Sequence, residues 1–404
     1  MKSRIVLLGA AATIAVLTGC VPNAGVGATA TTVIAVESTD DGCTPETNSA
    51  ASGTVTFRVG NAGTRVTEFY VLGEDELSIV AEVENIAPGA SRDLTVLAQP
   101  GEYFTVCKPG MVGEGIGQAP FTVTGDAVNV SADAEGASAA AVASYTAYVK
   151  TQAAELVPKT QEFVDAYIAG DDETARHLFP LVRINYERIE PTASQFGDLD
   201  PAIDYRKPGA EAEGLEFTGF HRIEMDLWLD AAAANYPDET IVALDTAGRT
   251  EVGTKLVADV TALYDEVHSA DFSLSVSDIT NGAIGLLDEV AAPDGKLPGE
   301  ENEFAHTDLY DFYANVEGAE VAYLSVRDIA LTADEESSAL VTELDEQFAA
   351  MKDLLLTYGN YEDGFVFYDT VTQTERNELG ARLNALSEPL SQLTHAVLGV
   401  DPTK

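Results

Sequence analysis

The hydrophobic period of this chain changes once, and that change sets two separate folding problems. From Thr31 to Thr124 the sequence is a series of short β-branched runs, TTVIAV, GTVTFRVGNAG, TEFYVL, LSIVAEV, DLTVL, GEYFTVC and APFTV. Turn residues such as Asn61-Ala62-Gly63, Pro88-Gly89 and Pro100-Gly101 separate them, a spacing that predicts a Greek-key β-sandwich. After Ala141, segments such as SYTAYVKTQAAELVPKTQEFVDAYIAG and ESSALVTELDEQFAAMKDLLLTYG place apolar residues three and four apart. That is the period of amphipathic helices, so residues 141–404 are expected to form an all-α helix bundle. Residues 125–140, GDAVNVSADAEGASAA, are small and acidic with no amphipathic period and read as a linker.

Charge then narrows the function. Against 22 Lys and Arg stand 67 Asp and Glu, a formal charge of −45, so a phosphate backbone is repelled nearly everywhere and nucleic acid is excluded as a partner. An excess of carboxylates attracts hard cations, which take oxygen ligands. The plainer alternative is that the acidity only keeps the surface soluble.

The N-terminus carries an address. Lys2 and Arg4 precede an apolar stretch from Ile5 to Leu17, the layout of a secretory signal and too short for a comfortable membrane span. Leu17-Thr18-Gly19-Cys20 resembles the lipobox of bacterial lipoproteins. Residues 1–19 are therefore expected to be removed as a signal peptide, Cys20 to be lipidated, and residues 20–30 to tether the body. An ordinary signal peptide with an incidental cysteine is the alternative. The expected location is extracytoplasmic, anchored to the cell membrane by lipid or free in the periplasm.

Two cysteines, Cys43 and Cys107, then remain for the β domain. In an exported domain an even pair is most simply a disulfide. The sharper reading joins both thiolates with Glu68 in a second metal site for copper, zinc or another cation. A blue-copper centre needs two histidines, and the first histidine is His177, well outside the domain.

The helical part concentrates its chemistry in two segments. His221 and Glu224 are three apart in EFTGFHRIEMDLW, so on a helix both project from one face within reach of a common ion. Glu187 and Glu190 are also three apart, and Asp200 and Asp204 four apart. Burying so many carboxylates without a cation is costly, whereas three independent wet faces would need none. Asp308 and Asp311 could line the same cleft or cap a helix. Arg183, Arg188, Arg206 and Lys207 cluster in sequence and offer either a local basic patch or partners for neighbouring acids.

Ordered motifs extend this reading over nearly the whole mature chain. They are YERIEP at Tyr186 to Pro191, FGDLDPAID at Phe196 to Asp204, FTGFHRIEMDLW at Phe217 to Trp228, NGAIGLLDEV at Asn281 to Val290 and HTDLYDFYANVEGA at His306 to Ala319. In the β domain ENIAPGASRDLTVLAQPGEYFTVC runs from Glu84 to Cys107. Together they resemble the EfeO-type iron-uptake proteins, which join a cupredoxin-like domain, here residues 31–124, to an imelysin-like domain of the peptidase type. The resemblance implies an extracytoplasmic protein that captures ferrous or ferric iron and serves a membrane permease and a haem peroxidase of the same system. It further implies a metal site built on His221 and Glu224, with Glu190 or Glu187 and Asp204 as carboxylate partners.

Two other functions compete with iron capture: a metal-linked ferroxidase and an acidic-polysaccharide-binding lipoprotein. Peptidase chemistry finds no support in the motifs, because a zincin needs His-Glu-x-x-His. The five histidines, His177, His221, His268, His306 and His395, form no such run, and no Gly-x-Ser-x-Gly elbow occurs.

Overall fold

The computed structural model describes residues 32–74, 79–110, 115–126, 132–293 and 295–399. The expected signal peptide, Cys20 and the tether lie outside the described residues. Among the described residues no helix is long and apolar enough to cross a membrane.

The first part is a two-sheet sandwich. Its strands are β1 (Thr32–Ser38), β2 (Cys43–Pro45), β3 (Ser49–Ala51), β4 (Gly53–Asn61), β5 (Thr67–Leu72), β6 (Ile79–Ile86), β7 (Ser91–Ala98), β8 (Gly101–Cys107) and β9 (Ile116–Thr124). One sheet runs β2-β1-β4-β7 and the other β3-β9-β8-β5-β6. The β1–β4 and β3–β9 pairs are parallel and the remaining pairs antiparallel, so chain crossovers of the Greek-key kind are built in. In β1 the alternation turns Ile34 and Val36 inward, as a strand with one buried face requires. Phe57 packs against Phe69 and Phe121 at ring-centroid distances of 5.3 and 5.2 Å, filling the gap between sheets. A disulfide joins Cys43 of β2 to Cys107 of β8, tying the two sheets together across 64 residues of sequence. Crosslinks of this kind stabilise by about 2–4 kcal/mol.

The second part is mostly helical. It comprises α1 (Ala132–Ala169), α2 (Asp172–Glu187), α3 (Leu199–Asp204), α4 (Lys207–Glu213), α5 (Gly219–Leu227), α6 (Leu229–Asn235), α7 (Thr246–Val267), α8 (Val276–Val290), α9 (Asp308–Ala333), α10 (Glu335–Leu355), α11 (Gln373–Leu390) and α12 (Leu393–Leu398). A small hairpin, β10 (Gly359–Asn360) with β11 (Gly364–Phe365), interrupts the last third. Tyr145, Phe163, Phe179, Phe220, Leu256 and Phe312 belong to one continuous buried cluster. Helix α1 begins at Ala132, inside residues 125–140, which the sequence presents as a linker without amphipathic period. The segment is alanine-rich, and alanine has the highest helix propensity. Gly136 to Ala140 lie largely in solvent, so no apolar stripe marks the helix there.

The two parts dock through α8, which packs on β6 and β7. Asn281 Nδ2 donates to Thr95 O at 3.0 Å, Asn85 Nδ2 donates to Asp288 O at 2.7 Å, and Arg92 pairs with Asp288. Lys108 and Glu213 form a further ion pair at 2.8 Å. Between the parts a cleft of about 770 Å³ remains.

Candidate metal centre

Six stretches of the helical part converge on one buried polar network. The end of α2 supplies Arg183 and Glu187, the following 3-10 turn supplies Glu190, and the last residue of α3 is Asp204. His221 and Glu224 come from α5. The segment between α8 and α9 supplies Lys296 and Glu301, and α9 supplies Asp308, Asp311 and Asn315.

A glycine makes the closest approach feasible. Gly219 opens α5 at φ +78, and a Cβ there would lie 2.1 Å from Ile203 O, so only glycine lets α5 start against the end of α3. His221 is thereby set beside Asp204. The variant Gly219→Ala is expected to lose about 1–3 kcal/mol from strain and steric overlap. It should weaken cation binding in parallel, read by thermal unfolding and titration of the same preparation.

His221 is held from one side. Its Nδ1 lies 2.9 Å from Glu224 Oε2, while Glu224 Oε1 accepts the backbone N–H groups of Phe304 and Ala305, both at 2.8 Å. Glu224 therefore fixes the ring and ties α5 to the turn before α9, with both its oxygens engaged. The opposite nitrogen, Nε2, is buried and makes no hydrogen bond. It faces Glu301 Oε1 at 3.3 Å and Asp204 Oδ1 at 3.6 Å. One ligand atom from each of Asp204, His221 and Glu301 lies within 4.8 Å of the others, a span that one ion can bridge.

Arg183 completes the wall. It is fully buried, lies over the rings of Phe179 and Phe220 at 5.8 and 5.7 Å, and divides its guanidinium among four carboxylates. Nε reaches Asp311 at 3.2 Å, one Nη reaches Asp204, and the other reaches Glu187 and, at 2.9 Å, Glu301. It thus touches the same two oxygens, Asp204 Oδ1 and Glu301 Oε1, that face His221 Nε2. Lys296, also fully buried, faces Glu187, Glu190, Glu289 and Glu301.

The protonation pattern follows from this crowding. Burial pushes Asp204 up to about 6 against the pull of Arg183 and His221. For His221, burial and Arg183 favour the neutral ring, but contacts with Glu224, Glu301 and Asp204 outweigh them and raise it to about 9. Burial also opposes ionisation of Glu301, yet Lys296, Arg206 and His221 hold it well below the usual carboxylate range. Burial and the neighbouring Glu187 and Glu289 raise Glu190 well above that range.

The sequence-predicted residues are therefore distributed rather than pooled. His221 and Asp204 meet, together with Glu301, in the three-residue cluster. Glu224 stands behind the imidazole. Glu187 and Glu190 turn to Lys296 and to Asn315, whose Nδ2 donates to each at 2.9 and 2.7 Å. Asp200 accepts from the Tyr186 hydroxyl, and Asn302 bridges Asp308 and Asp311 through its backbone N–H and its Nδ2. In the β domain Cys43 and Cys107 are bonded to each other, which leaves no thiolate to ligate copper or zinc with Glu68. The Glu68 carboxylate accepts from Tyr70 at 2.5 Å and faces the cleft. No basic patch forms from the four sequence-clustered cations. Arg183 is spent as described, Arg188 pairs with Glu317 at 2.8 Å, Arg206 lies 3.7 Å from Glu301, and Lys207 holds Glu211 and Glu239 at 2.6 and 2.7 Å.

Sequence reasoning missed Glu301 and Lys296. Both sit in an irregular segment between two motifs, and the only available signal was an acidic pair, Glu300-Glu301, beside a lone lysine.

The cleft leads from this network to solvent and is itself acidic. Thirteen carboxylate residues line it against two cations, Lys108 and Arg206. Burial, then the carboxylates of Glu68, Glu289 and Asp200, push Glu82 up to about 8.

Comparison with known proteins places the architecture. The family model for imelysin matches residues 141–393. The chain belongs to the imelysin family. A cupredoxin-like domain model matches residues 8–116, ahead of the imelysin region. The chain is 36% identical over 370 residues to the iron uptake system component EfeO of Escherichia coli strain K12, covering 91% of this chain and 92% of that protein. The EfeO protein of Shigella flexneri matches with the same identity and coverage. The imelysin chain described here thus has the EfeO-type order of a cupredoxin-like domain followed by an imelysin domain.

Proposed function

We propose that this protein is an extracytoplasmic component of an iron-uptake system that captures ferrous or ferric iron and passes it to a membrane permease, with a haem peroxidase as the third member. The observation that carries the reading is the orphaned Nε2 of His221, aimed at Asp204 and Glu301 with its ring fixed by Glu224. A ligating histidine whose other nitrogen is held by a carboxylate is the usual arrangement in metal sites. One imidazole among carboxylates suits hard or borderline cations such as iron better than soft ones.

The steps follow from the residues. The acidic cleft gathers cations by its field. His221 contributes a neutral nitrogen after losing its proton, Asp204 and Glu301 contribute oxygen, and Arg183 keeps the two carboxylates in place while sharing their oxygens. The lipid anchor at Cys20 keeps the carrier beside the permease. An oxidase role would need a redox centre in the β domain, where the paired cysteines offer no thiolate. Calorimetric titration of the mature soluble chain with ferrous and ferric ions tests the reading. One saturable equivalent supports it, and no binding of either ion overturns it.

A further inference from the structure

Lys296 is a second buried cation of the network beside Arg183, and it reaches the three proposed ligands only through Glu301. It is fully buried between α8 and α9, yet it is clamped to no single partner. Its Nζ lies 3.1 Å from Glu289, 3.3 Å from Glu190, 3.4 Å from Glu187 and 3.8 Å from Glu301. All four distances exceed the roughly 2.7–2.9 Å of a tight charge-assisted bond. Glu301 is shared: Oε2 faces Lys296 and Oε1 faces His221 Nε2 at 3.3 Å. One carboxylate's width therefore separates the ammonium from the proposed ion. Glu289 lines the cleft, so the ammonium also borders the route of entry.

Resting on the cation-site reading above, we propose that Lys296 is an internal competitor of the cargo. Its charge holds Glu187, Glu190, Glu289 and Glu301 together in the absence of an ion, and repels an arriving ion in proportion to that ion's charge. Arg183 is also positive, but it is fixed by short contacts to the ligand oxygens and braces them. Lys296 touches only Glu301 of the three proposed ligands, and from its far side. Repulsion of this kind weakens the site and compresses its preference for trivalent over divalent ions, which suits a protein that must release what it binds.

The test uses the full mature chain as wild type, Lys296→Met and Lys296→Arg, titrated with manganese(II) and terbium(III) as ions of the two charges. Coulomb energy scales with ion charge, so a gain of about 10-fold for manganese corresponds to about 30-fold for terbium. Lys296→Met is expected to tighten both, terbium more, while Lys296→Arg keeps the wild-type ratio. Unchanged affinities in folded Lys296→Met, or equal changes for both ions, overturn the proposal. A variant that folds only with metal supports it if terbium raises its melting temperature more than manganese does, and overturns it if neither ion restores the fold. Absence of binding to wild type marks failure of the cation-site reading itself.

Discussion

Replacing His221 with alanine should weaken iron binding by at least about 100-fold, roughly 2.8 kcal/mol at about 1.4 kcal/mol per decade, while Glu224→Gln should cost less. The two residues share a motif but not a role. His221 presents to Asp204 and Glu301 an Nε2 that makes no hydrogen bond, so its removal deletes a donor from a three-residue set. Glu224 spends one oxygen on the imidazole and the other on two backbone N–H groups. Changing such a supporting carboxylate typically costs about 10–100-fold in affinity. The glutamine should also lower stability, because one face of its amide cannot accept as a carboxylate does. Equal losses of affinity for the two variants, each checked for folding by circular dichroism, would place Glu224 on the ion instead. Retained affinity in His221→Ala would remove the centre from this position.

The division of labour within that motif shows what sequence spacing can and cannot convey. A three-residue separation on a helix brings two side chains together, and His221 and Glu224 do meet. Spacing does not say that they bind each other rather than a common ion. Glu187 and Glu190 lie close as expected, but what they face is Lys296, which comes from a segment with no period at all. Asp200 and Asp204 share α3, yet Asp200 turns to Tyr186 because that hydroxyl is buried beside it. Glu301 was illegible for the same reason as Lys296: it is brought to the centre by the path of a loop. The fold was more legible than the site. The β-runs and the helical period reflect which faces are buried, a property written along each element. The exception, Gly136 to Ala140 of α1, lies where the helix is largely in solvent and shows no apolar stripe.

Arg183→Met should be the most damaging single change, lowering stability by about 3–5 kcal/mol at neutral pH, as expected when one partner of a buried ionic cluster is removed. Without the guanidinium, Asp204, Asp311, Glu187 and Glu301 face one another with their shared countercharge gone. Their least costly response is to take up protons. Burial already raises Asp204 and Asp311, and Arg183 is the first group that opposes it; its loss raises both further above their unfolded values. A carboxyl whose pKa is higher folded than unfolded binds more protons in the native state, so its contribution to stability falls as pH rises through that range. The deficit of Arg183→Met should therefore shrink as pH is lowered from 7 toward 5, measured by denaturant unfolding at each pH. Added metal should act in the same direction at pH 7, since a multivalent cation beside Asp204 and Glu301 replaces the missing charge, and anything that binds only the native state stabilises it. A deficit independent of pH would mean that the residue serves mainly through its packing against Phe179 and Phe220. The cluster is thus held by cations whether or not iron is bound, and Arg183 is the one it cannot exchange.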